Sequence, residues 1–186
     1  MIYWSKNEVT LLTTLTWQKL GESQVFAGFR RILRTSFILP DGIEADFEIK
    51  QEPNTVNILA LTPRNTVLLV QQFRPGPEAV LLELPGGAID PGEEPAQAAA
   101  RELLEETGYR GEIEPVGTTW QCAYSTMRKY SFVARNCVKV QEPALDEYEF
   151  IEVVEMLLSD FRQHVRSGNL TDVAGAYMSL DKLKLL

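Results

Sequence analysis

Between Pro95 and Gly108 the chain reads Ala-Gln-Ala-Ala-Ala-Arg-Glu-Leu-Leu-Glu-Glu-Thr, almost all good helix formers. Pro95 suits the first helical position and Gly108 the residue just past the end, so a helix over residues 95–107 is expected. On a wheel at about 100° per residue, with Glu102 at zero, Glu105 falls near −60° and Glu106 near +40°. Three carboxylates therefore share an arc of about 100°. Ala96, Ala100, Leu103, Leu104 and Thr107 fall on the opposite side, an expected apolar face for packing on a sheet. Ala98 and Ala99 lie one turn before the acids, on the acid face, where their small side chains leave room for something to approach.

Like charges this close repel by about 0.2–0.5 kcal/mol per exposed pair, and they sit near the helix C-terminus, where the dipole disfavours anions. A helix carries such a cluster if the face is solvated, or if divalent cations neutralise it. The chain has one histidine, His164, which excludes zinc sites needing two or more. Its two cysteines, Cys122 and Cys137, exclude a disulfide framework and a four-sulfur site. A metal here would be held mainly by oxygen, which favours magnesium or manganese.

The 186 residues hold 18 basic and 26 acidic side chains, a net charge of −8. That balance argues against a nucleic-acid backbone or a polybasic membrane contact. The acidity is concentrated: residues 83–114 and 141–160 carry −7 each, while residues 115–140 carry +4. Either these are two solvated faces, or they meet at a cation. The N-terminus is polar at Ser5, Lys6, Asn7 and Glu8, unlike a signal peptide, and no apolar run reaches membrane-spanning length. The default expectation is a cytoplasmic protein with reduced thiols.

The elements that must position the acids are short. Strands are expected at residues 24–29, 32–39 and 45–50, with a turn at Pro40-Asp41-Gly42. Further strands are expected at 56–61 and 67–73, joined as a hairpin, then at 80–84, 118–123, 129–135 and 149–154. Besides the helix at 95–107, one is expected at 159–167, closed by Gly168, and another from Val173 onward. This mixture implies an α/β (α+β) fold, a mixed sheet with helices packed on it. Pro53-Asn54 is the expected joint between a section at 1–53 and one at 54–186. Tyr3, Trp4 and Trp17 are candidates for packing at a subunit interface.

From Gly87, five residues pass before Glu93 and seven more before Arg101-Glu102-Leu103; then come Leu104, Glu105-Glu106, Thr107 and Gly108-Tyr109. This resembles the signature of the Nudix hydrolases, with eight of nine specified positions matching and Tyr109 standing where an aliphatic residue is usual. Val70-Gln71-Gln72-Phe73-Arg74, Leu82-Glu83-Leu84-Pro85-Gly86-Gly87, Leu39-Pro40-Asp41-Gly42 and Gly168-Asn169-Leu170-Thr171-Asp172 extend the likeness to the ADP-ribose pyrophosphatase group.

The resemblance implies an α/β/α sandwich with a mixed sheet, preceded by an N-terminal antiparallel β section that contributes to a homodimer and to the neighbour's active site. It implies Mg²⁺-dependent (or Mn²⁺-dependent) hydrolysis of a nucleoside diphosphate sugar to a nucleoside monophosphate and a sugar phosphate. It makes Glu102, Glu105, Glu106 and the backbone carbonyl of Gly86 the metal ligands. Arg101 then holds the carboxylates by pairing with Glu93 or Glu105. Glu149, and after it Glu147, are the loop acids implied as general base or further ligand. Arg74 and Lys50 are implied phosphate contacts, and Phe26 a stacking partner for the base.

The group's usual Ser-Pro-Gly turn is replaced by Ala123-Tyr124-Ser125-Thr126-Met127-Arg128-Lys129-Tyr130, without proline. GDP-mannose and other nucleoside diphosphate sugars therefore stand beside ADP-ribose. Arg128 and Lys129 grip such a substrate or are strand-edge cations. Dinucleoside polyphosphate hydrolysis is a second enzymatic reading, and a non-catalytic nucleotide-sugar sensor is a third, from another class. A Ser-His-Asp hydrolase fits poorly, because no nucleophile motif accompanies His164.

Overall fold

Residues 15–186 are described by the computed structural model, in two units that part between Glu52 and Pro53. The first is a three-stranded antiparallel sheet, β1 (Gln18–Ala27), β2 (Arg31–Ile38) and β3 (Glu44–Gln51), in that order. The turn at Gly42 uses the left-handed region, φ 85°, and its N–H reaches the Leu39 carbonyl at 2.9 Å. Trp17 packs on Phe37 and Phe47, with ring centroids 5.8 and 5.1 Å apart, which gives this sheet an aromatic nucleus of its own. Tyr3 and Trp4 lie outside the described residues. β1 begins six residues before the strand expected from the sequence. Gly21 and the polar Lys19, Glu22 and Ser23 mask its β character, and two irregularities break its register.

The second unit has β4 (Thr55–Leu61), β5 (Thr66–Arg74), β6 (Ala79–Glu83), α1 (Pro95–Thr107), β7 (Tyr109–Trp120), β8 (Arg128–Lys139), β9 (Glu152–Leu157), α2 (Leu158–Ser167) and α3 (Val173–Lys182). Its mixed sheet runs β6-β5-β4-β8-β7, with β9 paired to β5. β4 is buried from Val56 onward and pairs in parallel with β8, as a central strand covered on both faces should. Successive side chains alternate between the faces. Val56, Ile58, Ala60, Phe132 and Ala134 meet Ala98, Ala99 and Leu103 of α1. Leu59, Leu61 and Val133 meet Phe161 and Val165 of α2 and Ala176 and Leu180 of α3. Helices thus cover both faces of the sheet, the α/β/α arrangement expected.

β4 and β5 form the expected hairpin, but they pair at only two positions before separating. The chain after β6 enters the gap. The Pro85 carbonyl accepts from Ile58 N–H and the Gly87 carbonyl from Val56 N–H, each at 2.9 Å. This lays the Gly86–Gly87 turn along β4, beneath α1.

β7 is twice the length expected at 118–123. Gly111, Pro115 and Gly117 interrupt its alternation, and register shifts fall beside each of them. β8 lies between β4 and β7, so Arg128 and Lys129 are not on a sheet edge. Lys129 pairs with Asp172 at 2.7 Å, and the Arg128 guanidinium stacks over Trp120 at 4.1 Å.

Candidate active site

α1 has the bounds its punctuation implies. The Glu94 N–H donates to the Gln97 side chain at 3.1 Å, and Gly108 closes the helix at φ 75°, its N–H on the Leu104 carbonyl at 2.8 Å. A Cβ at Gly108 would collide with the backbone of Gln141.

The packing face differs from the one read off the wheel. Ala96 and Ala100 are exposed, while Ala98, Ala99, Glu102, Leu103, Glu106 and Thr107 are buried. The buried arc runs from about −40° at Ala98 to about +140° at Thr107, so two of the three acids lie within it. Ala98 and Ala99 are small because the helix sits close to the sheet there. Glu105 falls at the margin, with a 42% exposed side chain.

Glu106 is 4% exposed, and its carboxylate accepts the Gly86 N–H at 2.7 Å. Burial pushes its carboxyl up to about 8; the charges of Glu102 and Glu149 add to this, while the Gly86 amide and the Arg74 charge oppose it. Burial also raises Glu102, helped by Glu105 and Glu149 and opposed by Arg101. A Cβ at Gly87 would overlap the Glu102 carboxylate, so glycine there lets that carboxylate lie against the turn as it does.

Arg101 ties the acids together. Its Nε and Nη2 donate to Glu93 at 3.0 and 2.9 Å, its Nη1 to Glu102 at 2.9 Å and Glu105 at 3.0 Å, and its Nη2 also to the Ala88 carbonyl at 2.9 Å. The expected choice between Glu93 and Glu105 is therefore resolved as both, with Glu102 added. Hydrogen bonding to Arg101 holds Glu93 below the usual carboxylate range.

The second acidic segment comes to the same place. Glu149 is half-buried and its charge acts on Glu102 and Glu106. Its carboxylate accepts the Asp146 N–H at 3.1 Å. Glu147 is exposed on the same turn. Arg74, at the end of β5, donates through Nε to Glu83. Lys50 and Phe26 lie on the N-terminal sheet, Lys50 paired with Glu52 at 3.2 Å and Phe26 56% exposed. Glu83 in turn accepts from the N–H and hydroxyl of Thr171; both residues lie in stretches that carry the family resemblance, with no role assigned to either. The available signal was a lone charge in the apolar run Val80-Leu81-Leu82-Glu83-Leu84.

Among the described residues, no three acid, cysteine or histidine side chains are already gathered as a metal cage. Glu105 is occupied by Arg101, and Glu149 by the Asp146 amide. The donor set is nonetheless all oxygen. Two carboxylates are raised by burial and by neighbouring negative charge, and among the described residues Arg101, on Glu102, is the one cation hydrogen-bonded to either. Such a pair calls for further positive charge, so the residues present fit a hard divalent cation. His164 is engaged elsewhere, its Nε2 2.7 Å from the Leu82 carbonyl.

A cleft of about 480 Å³ at the end of β7 is lined by Trp120, Cys122, Ala123 and Ser125. It occupies the segment where the usual Ser-Pro-Gly turn is replaced.

The family model described as the NUDIX domain matches residues 51–172. An ADP-ribose pyrophosphatase of Bacillus subtilis is 32% identical over 170 residues, covering 89% of this chain and 92% of that protein. A methanol dehydrogenase activator of Bacillus methanolicus is 31% identical over 171 residues, 86% of this chain and 90% of that protein. A solved structure described as an ADP compounds hydrolase has a TM-score of 0.77, covers 91% of this chain and 96% of its own, and is 21% identical; that likeness speaks to the fold.

Proposed function

The chain belongs to the Nudix hydrolase family, and from that premise we propose that it hydrolyses the diphosphate bond of a nucleoside diphosphate sugar of the ADP-ribose class. Water adds to one phosphorus, the bridging P–O bond breaks, and a nucleoside monophosphate and a sugar phosphate leave with release of a proton. The observation that carries this reading is the buried pair Glu102 and Glu106 against the Gly86–Gly87 turn, in a chain similar along most of its length to an ADP-ribose pyrophosphatase.

Glu102, Glu106 and the Gly86 carbonyl would hold the divalent cation, Mg²⁺ by first preference and Mn²⁺ by second, with Glu105 available on release from Arg101. A bound cation would offset the repulsion between an acidic site and a diphosphate and polarise the phosphoryl oxygens. The chain's own residues do the rest. Arg101 fixes the directions of Glu93, Glu102 and Glu105. Arg74 faces substrate phosphate, and Glu149 takes the proton of the attacking water, with Glu147 the second choice.

We read the N-terminal sheet as a dimerisation section that brings Lys50 and Phe26 to a partner's substrate. Leu20, Val25, Phe26 and Phe29 are exposed on it, which supports that role. Nucleic acid is no partner in this reading, given the net charge of −8. Two free thiols suit a reducing, cytoplasmic setting, and no helix among the described residues is long and apolar enough to cross a membrane.

The test is product analysis with Mg²⁺ on ADP-ribose, GDP-mannose, UDP-glucose, diadenosine polyphosphates and NADH. ADP-ribose is expected to turn over fastest, giving AMP and ribose phosphate. Preference for a diadenosine polyphosphate would overturn the substrate class. Tight binding of ADP-ribose without cleavage would favour a sensor.

A further inference from the structure

Glu83 is the most buried carboxylate among the described residues, 2% exposed, and it belongs neither to the acid face of α1 nor to the hydrophobic core. Three donors satisfy it. Arg74 Nε–H donates to Oε2, while the N–H of Thr171, at 3.2 Å, and the Thr171 hydroxyl both donate to Oε1. Thr171 lies in the turn between α2 and α3, 88 residues away in sequence. Asp172 follows it and holds Lys129, so the turn is itself anchored to β8.

The arginine is only partly consumed by this arrangement. It is gripped at Nε, and its two terminal nitrogens have no protein partner among the described residues, although the side chain is only 38% exposed. Its charge reaches Glu106. A guanidinium held this way presents its remaining N–H groups as a fixed fork, the geometry that matches two oxygens of a phosphate. A surface ion pair would not need a partner removed from water or a second anchor on another element.

We propose that Glu83 and Thr171 are positioning residues that hold Arg74 by Nε so that its free terminal nitrogens meet the substrate diphosphate. The inference rests on the reading of Arg74 given above. It assigns the α2–α3 turn a part in substrate binding, as the third leg of a Thr171–Glu83–Arg74 relay.

Glu83→Gln separates this from a merely structural ion pair. A glutamine oxygen still accepts from Thr171, but its NH₂ then faces the Nε–H of Arg74, donor against donor. With ADP-ribose and saturating Mg²⁺, Glu83→Gln is expected to raise KM about tenfold while kcat stays within about threefold. Arg74→Ala is expected to raise KM alone, and adding Glu83→Gln to it should change KM no further. Thr171→Val should raise KM by roughly threefold, again with no effect on the Arg74→Ala background. That variant carries the test if Glu83→Gln fails to fold. Additive effects of Glu83→Gln and Arg74→Ala, or a fall in kcat at unchanged KM, would overturn the positioning role. An unchanged KM in Arg74→Ala would instead overturn the phosphate-contact reading beneath it.

Discussion

Glu106 and Glu155 are carboxylates of the same fold with opposite environments. Glu155, on β9, accepts from Arg64 at 2.6 Å, from the Thr66 hydroxyl at 2.8 Å and from the Tyr109 hydroxyl at 3.2 Å. Those partners, the Thr66 hydroxyl foremost, hold it below the usual carboxylate range. Glu106 has one backbone amide, more burial and two acidic neighbours, and it is pushed up to about 8. The first is a carboxylate with its partners supplied by the chain, as a structural tie requires. The second is left short of positive charge, which is what a site that recruits a cation requires.

Neutral isosteres break this comparison most sharply. Glu106→Gln is expected to lower turnover of ADP-ribose by about a thousandfold, because a donor to the cation is lost. Glu155→Gln should leave turnover within about twofold and lower stability by roughly 1 kcal/mol. Steady-state rates and denaturant midpoints of the two variants measure both effects.

The pair should also respond to pH with opposite signs. The folded pKa of Glu106 is raised, so its contribution to stability is fully present below the usual carboxylate value. It declines as pH rises and is gone above about 8. Metal-free wild type should therefore lose stability relative to Glu106→Gln between about pH 5 and 8, by on the order of 1 kcal/mol per pH unit. Saturating Mg²⁺ should remove that slope. For Glu155 the folded pKa is lowered, so its contribution is present above the usual value and is lost as pH falls through the folded one. The deficit of Glu155→Gln should accordingly be seen at neutral pH and shrink in acid. Urea titrations across pH with and without Mg²⁺ test both signs.

Smaller effects sharpen the boundary between the regions. Arg101→Lys keeps one charge but loses the fork that reaches Glu93, Glu102 and Glu105, and should lower kcat about 10- to 100-fold at near-normal stability. Tyr109→Phe removes one hydrogen bond from Glu155 and should lower stability by about 0.5–1 kcal/mol with turnover unchanged. A large loss of turnover in Tyr109→Phe would show that the structural tie also serves the site.

Much of α1 was legible in the sequence, because Pro95 and Gly108 bracket a run of good helix formers whose periodicity no other signal contradicts. Its packing face was not. A wheel ranks faces by polarity, and here two glutamates lie on the buried side because a glycine turn, not an apolar surface, faces them. Residues 109–117 of β7 escaped detection because Gly111, Pro115 and Gly117 break the alternation by which strands are recognised. Local spacing brought out Glu102, Glu105, Glu106 and Arg101. It could not bring out Glu83 with Thr171, since that contact is made only when β6 and the α2–α3 turn come together.

The central claim is that Glu102 and Glu106 form a cation site that serves diphosphate cleavage. Its most direct test is binding of Mn²⁺ to metal-free protein at pH 8, followed by electron paramagnetic resonance, with AMP release from ADP-ribose measured in the same samples. Wild type and Glu155→Gln should bind Mn²⁺ and release AMP in proportion to the bound ion, whereas Glu106→Gln should lose both together. Wild-type Mn²⁺ binding and turnover in folded Glu106→Gln would contradict the account.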